Sequence, residues 1–149
     1  YISIYVVMNI GAFACIYLMR VNENYKEELS DLSGISKKHP LLAVSFLIIL
    51  FSLAGIPPLG GFFAKFYIFM SVIENEMFAL AIIGLLSTVI SAFYYLKIIK
   101  IIYFDELKNS FDQNRSYSIS STIFVSCLIL LTFFLYPSLL NNIVINIFN

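Results

Sequence analysis

One basic side chain in this sequence stands where basic side chains are costly. Lys65 closes the run Gly55-Ile-Pro-Pro-Leu-Gly-Gly-Phe-Phe-Ala-Lys65, within a stretch that is otherwise apolar from Leu41 to Ile73. A lysine at the centre of a membrane-spanning helix costs roughly 2.5–3.5 kcal/mol, so its position demands a compensating environment. The same run supplies one. Pro57 and Pro58 carry no N–H, so the carbonyls of Leu53 and Ala54 lose the partners a continuous helix would give them. Gly55, Gly60 and Gly61 permit the backbone angles of an unwound stretch. Non-helical backbone at membrane depth is tolerated only where protein or a water-filled cavity satisfies its polar groups. Two readings follow. In one, the freed carbonyls satisfy the lysine and it serves packing alone. In the other, desolvation disfavours the ammonium form, and the side chain takes up and releases a proton as its surroundings change.

A proton needs a path, and hydroxyl and amide side chains near the break are its candidates. Ser52 and Tyr67 flank the break on either side. Ser87, Ser91 and Tyr94 recur with Gly84 at helical spacing and so share a face of the next apolar segment. Tyr5 and Asn9 share a face of the first segment and can hold water beside Lys65. Interhelical hydrogen bonding and small-residue packing account for the same residues without any proton. Lys97 and Lys100 lie near a segment end, where long side chains reach the interface easily. His39 precedes Pro40 at a segment boundary and reads as a capping or loop residue; Glu74 and Glu76 read as solvated loop charges.

Other chemistry finds no foothold. Gly60-Gly61-Phe62-Phe63-Ala64-Lys65 lacks the spacing and the preceding strand of a phosphate-binding loop. The sequence has no His-Glu-x-x-His, no Cys/His cluster for metal, haem or iron–sulfur, and no triad spacing. Cys15 and Cys127 sit far apart in apolar runs and read as packing residues. With nine Lys and Arg against nine Asp and Glu, the formal charge is zero, which leaves no basic footprint for nucleic acid.

The elements that must hold Lys65 follow from the hydropathy. The chain has 149 residues, 60% hydrophobic and only 12% charged, with mean hydropathy +0.91. A water-facing surface needs more charge than that, so the predicted class is an all-α membrane domain of about four spans. The apolar blocks run over about 2–19, 41–73, 77–104 and 120–140. The second is too long for one straight span; it is predicted as a single span broken at Gly55–Gly61, with half-helices Leu41–Ala54 and Phe62–Ile73. Pro40 suits the first helical position. In the polar connection before it, Asn24–Leu29 reads as a short surface helix and Ser30–Gly34 as a turn. Pro137 marks the end of the fourth block. Arg20, Lys26, Lys37, Lys38, Lys97, Lys100, Lys108 and Arg115 fall on one side of this topology, and only Glu74 and Glu76 on the other, so the basic side is predicted to be the inner one. The apolar start at Tyr1 suggests a span whose upstream neighbours lie elsewhere. Abundant Ile, Phe, Tyr, Asn and Lys, with no Trp, hint at an AT-rich genome such as an organelle's.

The stretch from His39-Pro-Leu-Leu through Ser52-Leu-Ala-Gly-Ile-Pro-Pro-Leu-Gly-Gly-Phe-Phe-Ala-Lys-Phe-Tyr67 resembles the antiporter-like subunits of proton-pumping NADH:ubiquinone oxidoreductase, subunit 2 most of all. Tyr5-Val-Val-Met-Asn-Ile-Gly-Ala-Phe13, Asp31-Leu-Ser-Gly34 and Ser87-Thr-Val-Ile-Ser-Ala-Phe-Tyr-Tyr-Leu-Lys97 add to it, in order, over roughly two thirds of the chain. The resemblance implies two inverted five-helix repeats, of which this chain would carry the last three helices of the second and a terminal helix. It makes Lys65 the lysine of a broken helix that takes part in redox-driven proton translocation. It implies no cofactor in this chain, with NADH, flavin, iron–sulfur clusters and ubiquinone in other subunits. The implied partners are other membrane-arm subunits, including a chain or segment with the missing N-terminal helices, and the lipid bilayer. The implied location is the mitochondrial inner membrane, basic loops toward the matrix, with the bacterial plasma membrane as alternative. A subunit of a multisubunit cation/proton antiporter and a structural scaffold without pumping are the rival readings.

Overall fold

The computed structural model describes residues 1–21, 24, 25, 28–107 and 117–133. Among these, the fold is all-α apart from a two-residue ladder. Helix α1 spans Ile2–Tyr17, α2 Pro40–Ala54, α3 Gly60–Glu74, α4 Phe78–Phe104 and α5 Tyr117–Thr132. The ladder pairs β1, Arg20–Val21, with β2, Asn24–Tyr25, in antiparallel register. The helix expected over Asn24–Leu29 is therefore absent: Asn24 and Tyr25 belong to the ladder, and a 3₁₀ turn begins only at Leu29. So short a helix fixes several residues for very few hydrogen bonds, and backbone pairing with Arg20–Val21 offers those two residues partners at once.

Helices α1, α4 and α5 build the core around α2, with Ile99 and Ile102 of α4 buried in it. Ile4, Met8 and Cys15 of α1 pack with Phe46, Ile49 and Leu50 of α2 and with Ile123, Cys127 and Leu130 of α5, all buried. Close approach is possible because Gly11 has no side chain: a Cβ there would lie 2.9 Å from Ile49 Cδ1 and 3.0 Å from Ser126 Cβ. Protein interiors hold few voids large enough to absorb such an atom, so Gly11 sets the spacing of the three helices. Cys15 and Cys127 are free thiols in this core, in keeping with their reading as packing residues.

The connection into α2 is tied to the far end of α4. Its two 3₁₀ turns, Leu29–Leu32 and Ile35–Lys37, flank Gly34, which adopts the left-handed conformation at φ 64°. The Gly34 N–H donates to the Ile101 carbonyl at 3.0 Å, and a Cβ at Gly34 would sit 2.6 Å from the Leu107 nitrogen. Only glycine combines that backbone angle with that proximity. Leu32, Ser33 and Ile35 are buried there, while Lys37, Lys38, Lys97 and Lys100 stay exposed. The chain then turns by 118° into α2, with His39 as its N-cap and Pro40 in the first turn, where the missing N–H is no loss. Glu74 and Glu76 lie at the opposite end of α4. The basic residues among these are thus gathered at one end of the bundle and the acidic pair at the other.

Helix α4 has 27 residues, about 40 Å at 1.5 Å per residue. Among the described residues it is the one helix long and apolar enough to cross a membrane alone. At 16 residues each, α1 and α5 are shorter, below the roughly 20 residues of a straight span. The fourth block expected over 120–140 begins earlier, at Tyr117; its end and Pro137 lie outside the described residues, as do Lys26, Lys108 and Arg115.

Candidate functional site

The long second block is broken where the prolines and glycines dictate. Helix α2 closes on Gly55, whose φ of 81° is the left-handed angle that glycine adopts without strain. Its N–H donates to the Ser52 carbonyl, and the Ile56 N–H to the Phe51 carbonyl, both at 3.0 Å. Those two bonds satisfy two of the last carbonyls of α2. The next two, Leu53 and Ala54, face Pro57 and Pro58, which have nothing to donate; the peptide between the prolines is cis. Helix α3 then starts at Gly60, two residues before the expected Phe62, alongside the last turn of α2. The Gly61 N–H donates to Ser52 Oγ at 3.0 Å, wholly buried. A Cβ at Gly61 would overlap the Ser52 carbonyl oxygen, and one at Gly60 would lie 3.3 Å from Phe133 Cβ. The half-helices can meet this closely only through glycine.

Lys65 stands one turn beyond Gly61 on the same face of α3, and that face looks at the open end of α2. Its Nζ donates to the Leu53 carbonyl at 2.8 Å, one of the two acceptors the prolines release. An ammonium on a helix's terminal carbonyls also sits at the negative end of the helix dipole, and a charge-assisted bond of this length is among the stronger kinds. The stem runs beside the αL glycine, with Lys65 Cδ only 3.2 Å from where a Gly55 Cβ would be. The side chain is half-buried.

A cavity of about 270 Å³ adjoins the lysine, lined by Tyr1, Tyr5 and Met8 of the first helix, by Leu53 and Lys65, and by Ser87, Thr88, Ser91 and Tyr95 of α4. That is room for several water molecules at about 30 Å³ each. Three of its hydroxyls already donate to their own helix: Ser87 and Thr88 to the Gly84 carbonyl and Ser91 to the Ser87 carbonyl, each at 2.9 Å. With their protons so engaged, these oxygens present lone pairs to the cavity. They suit a donor, such as an ammonium or water, as neighbour.

The sequence-derived candidates divide accordingly. Lys65, Tyr5, Ser87 and Ser91 come together around the cavity. Ser52 is fully buried and bonds Gly61, so it holds the break together and lines no path. Asn9 is not among the lining residues; its Nδ2 donates to the Tyr5 carbonyl at 2.8 Å. Tyr67, 52% exposed, packs edge-on to Phe66 on the side of α3 away from α2. Tyr94, 59% exposed, meets Phe93; the cavity instead takes Tyr95. Thr88, Tyr95 and Tyr1 were not singled out from the sequence. Steps of three and four residues from Thr88 to Ser91 to Tyr95, and of four from Tyr1 to Tyr5, carry the signal that would have found them. Gly84 packs against the Phe69 ring, 2.8 Å from a would-be Cβ, so its smallness serves helix packing.

The arrangement holds one lysine on an acceptor left over from the backbone, beside a space lined by hydroxyls. Chemically, an amine so placed can hold a proton on the Leu53 carbonyl and exchange it with water in the adjoining space. Among the described residues no cluster of His, Cys, Asp and Glu could hold a metal.

Comparison with known proteins bears on this directly. The sequence profile of the NADH:quinone oxidoreductase/Mrp antiporter transmembrane family matches residues 1–91. The chain is 57% identical over 144 residues to the NADH-quinone oxidoreductase subunit N of Pelagibacter ubique, covering 97% of this chain and 31% of that protein. It is 47% identical over 138 residues to the subunit of the same name from Parvibaculum lavamentivorans, covering 93% of this chain and 29% of that one. In three dimensions it resembles a chain of respiratory complex I from Thermus thermophilus with bound Aureothin, with TM-score 0.79 and 26% identity over 91% of this chain and 31% of that chain. The chain thus spans about a third of the length of the relatives it matches. These relatives are bacterial, which favours the bacterial plasma membrane, the alternative location, over the mitochondrial inner membrane that the resemblance implies.

Proposed function

The chain belongs to the NADH:quinone oxidoreductase/Mrp antiporter transmembrane family, and from that premise we propose that it forms the C-terminal part of a subunit-N-type protein in the membrane arm of a proton-pumping NADH:quinone oxidoreductase. In this reading it spans the bacterial plasma membrane about four times, with α2 and α3 as one broken span and the basic end of the bundle inside. Electrons pass through other subunits. This chain supplies a station on a proton route, and the remaining helices of its own fold, with neighbouring membrane-arm subunits, cover the side of the cavity now formed by Tyr1, Tyr5 and Ser87.

The observation that carries this is the Lys65 Nζ on the Leu53 carbonyl beside a hydroxyl-lined cavity. The carbonyl accepts from the ammonium, and the cavity offers water and oxygen acceptors once that bond breaks. A lysine that only filled space would need neither. The family description names antiporters too, but the 57% identity to a subunit N favours the oxidoreductase over a cation/proton antiporter.

Lys65→Met, which keeps length and apolar packing, tests the proposal in the assembled enzyme. The complex is expected to assemble in near-normal amount, while proton pumping and the NADH oxidation coupled to it fall. Normal pumping by a fully assembled variant would make Lys65 a packing residue and the chain a scaffold.

A further inference from the structure

The geometry points to Ser52 as the positioning residue for Lys65: its hydroxyl fixes the register of α3 on α2, and that register sets the lysine on the Leu53 carbonyl. The inference rests on the proton-handling reading of Lys65.

Three contacts carry it. Ser52 is the last polar side chain of α2 before the break, with 0% exposure, and its Oγ accepts the Gly61 N–H at 3.0 Å. Gly61 is in the first turn of α3, where backbone N–H groups have no partner inside their own helix. The cap therefore comes from across the break. Second, Gly61 lies so close that no Cβ could stand between it and the Ser52 carbonyl, so the first turn of α3 rests directly on the last turn of α2, within reach of the Ser52 hydroxyl. Third, Lys65 lies four residues further on, on the same face of α3, and Leu53 is the residue after Ser52. The bond from the Gly61 N–H to Ser52 Oγ and the bond from Lys65 Nζ to the Leu53 carbonyl join the same two helix ends, a turn apart along α3 and one residue apart along α2.

The consequence is specific. Along α3, a slip of one residue moves a side chain 1.5 Å and turns it by about 100°, enough to take Nζ from hydrogen-bond distance of Leu53 to the apolar flank of α2. In the link 55–59, the Ile56 N–H donates back to the Phe51 carbonyl of α2 and the Leu59 N–H to the Ile56 carbonyl within the link, so the Phe62 N–H on the Leu59 carbonyl is the backbone bond that joins the link to α3, and a side chain is left to fix that register. The Ser52 hydroxyl is the side chain that does. It touches no proton of Lys65 and lines no part of the cavity. It acts through the lysine.

The test uses the assembled, membrane-embedded oxidoreductase carrying Ser52→Ala, Ser52→Thr, Lys65→Met, and Ser52→Ala with Lys65→Met, each scored for pumping per assembled complex. Loss of one buried acceptor predicts a roughly two- to tenfold fall in pumping for Ser52→Ala, recovery in Ser52→Thr, which restores the acceptor, and no further fall when Ser52→Ala is added to Lys65→Met. Should Ser52→Ala assemble poorly, Ser52→Cys, close in size but a weak acceptor, takes its place with the same expectation. A residue that merely stabilised the bundle would lower the amount of complex and leave pumping per complex unchanged. That result for Ser52→Ala or Ser52→Cys, alongside loss of pumping in Lys65→Met, overturns the positioning role and leaves the proton-handling reading standing. Normal pumping in Lys65→Met overturns both.

Discussion

Lys65 and Leu53 illustrate how a covalent detail becomes a binding site. Proline lacks one hydrogen, and two prolines in succession leave two carbonyls at the end of α2 without helical partners. The structure gives one of them, Leu53, to the lysine. This much is legible in the sequence, where Pro57 and Pro58 identify both carbonyls and the length of the apolar block shows that a break must come. The role of Ser52 is not legible, because a serine at a helix end has many local acceptors and donors, and its choice of Gly61 depends on how two helices meet. Tyr95, by contrast, stands four residues after Ser91, and that helical step distinguishes it from Tyr94. The packing of α4 on α2 and α3 turns that face toward the cavity. At this scale the chemistry makes a second expectation for the lysine. Lys65→Arg keeps the charge, but a guanidinium does not give up its proton in the working range. Its planar fork also does not match a single carbonyl. Assembled Lys65→Arg enzyme is therefore expected to pump at well below the normal rate, measured as acidification per NADH oxidised in inverted vesicles. Normal coupling in that variant would mean that a fixed positive charge suffices there and that no proton leaves the residue.

The break is an element in its own right, and its geometry rests on Gly55. The helix signal itself reads well from sequence: α2 begins at Pro40 and ends at Ala54, as the proline and glycine at its ends require. What fails is the polar connection, where Asn24–Leu29 carries helix-forming residues but too few of them to nucleate a helix. At the break, the αL angle of Gly55 directs the chain out of α2 and leaves space for the lysine stem. A non-glycine residue in that conformation costs roughly 1–2 kcal/mol, and a methyl group would stand 3.2 Å from Lys65 Cδ. Asparagine tolerates the αL region better than other side chains, yet it is larger than alanine beside the stem. Backbone strain and contact with Lys65 thus make separable predictions. If strain dominates, Gly55→Asn retains more assembled complex than Gly55→Ala in a thermal-stability series. Both are expected to lower pumping per complex, because both crowd the stem. Pumping at the normal rate in either would show that the stem does not need the space.

At the scale of the molecule, what is exposed says what must cover it. Only 6% of the most apolar window of α4 is buried, and Leu86, Val89, Ile90 and Phe93 are each more than 60% exposed. Such a surface belongs against lipid or against other helices. The all-α class and the membrane setting were legible from composition, since little of the chain is charged. Among the described residues, α4 is the one helix long and apolar enough to cross a membrane alone. The Lys65 cavity raises the sharper demand. Its walls from α1 and α4 include Tyr1, Tyr5 and Ser87, all exposed, and a lysine so placed cannot face hydrocarbon at tolerable cost. In the assembly proposed above, further helices close that side, as the greater length of a relative of which the chain covers 31% allows. A thiol placed at Ser87 reports whether it does. In the detergent-solubilised complex, where both membrane faces are open to reagent, Ser87→Cys is expected to react with a polar maleimide about tenfold or more slowly than Lys38→Cys on the basic connection, because covered thiols are poorly reached. The native thiols Cys15 and Cys127 are buried in the core and give a low background. Equal rates at the two positions would mean that the cavity opens to solvent in the assembly. Lys65 would then exchange protons freely with one side of the membrane at all times, and a gated station on a pump could not be built on it.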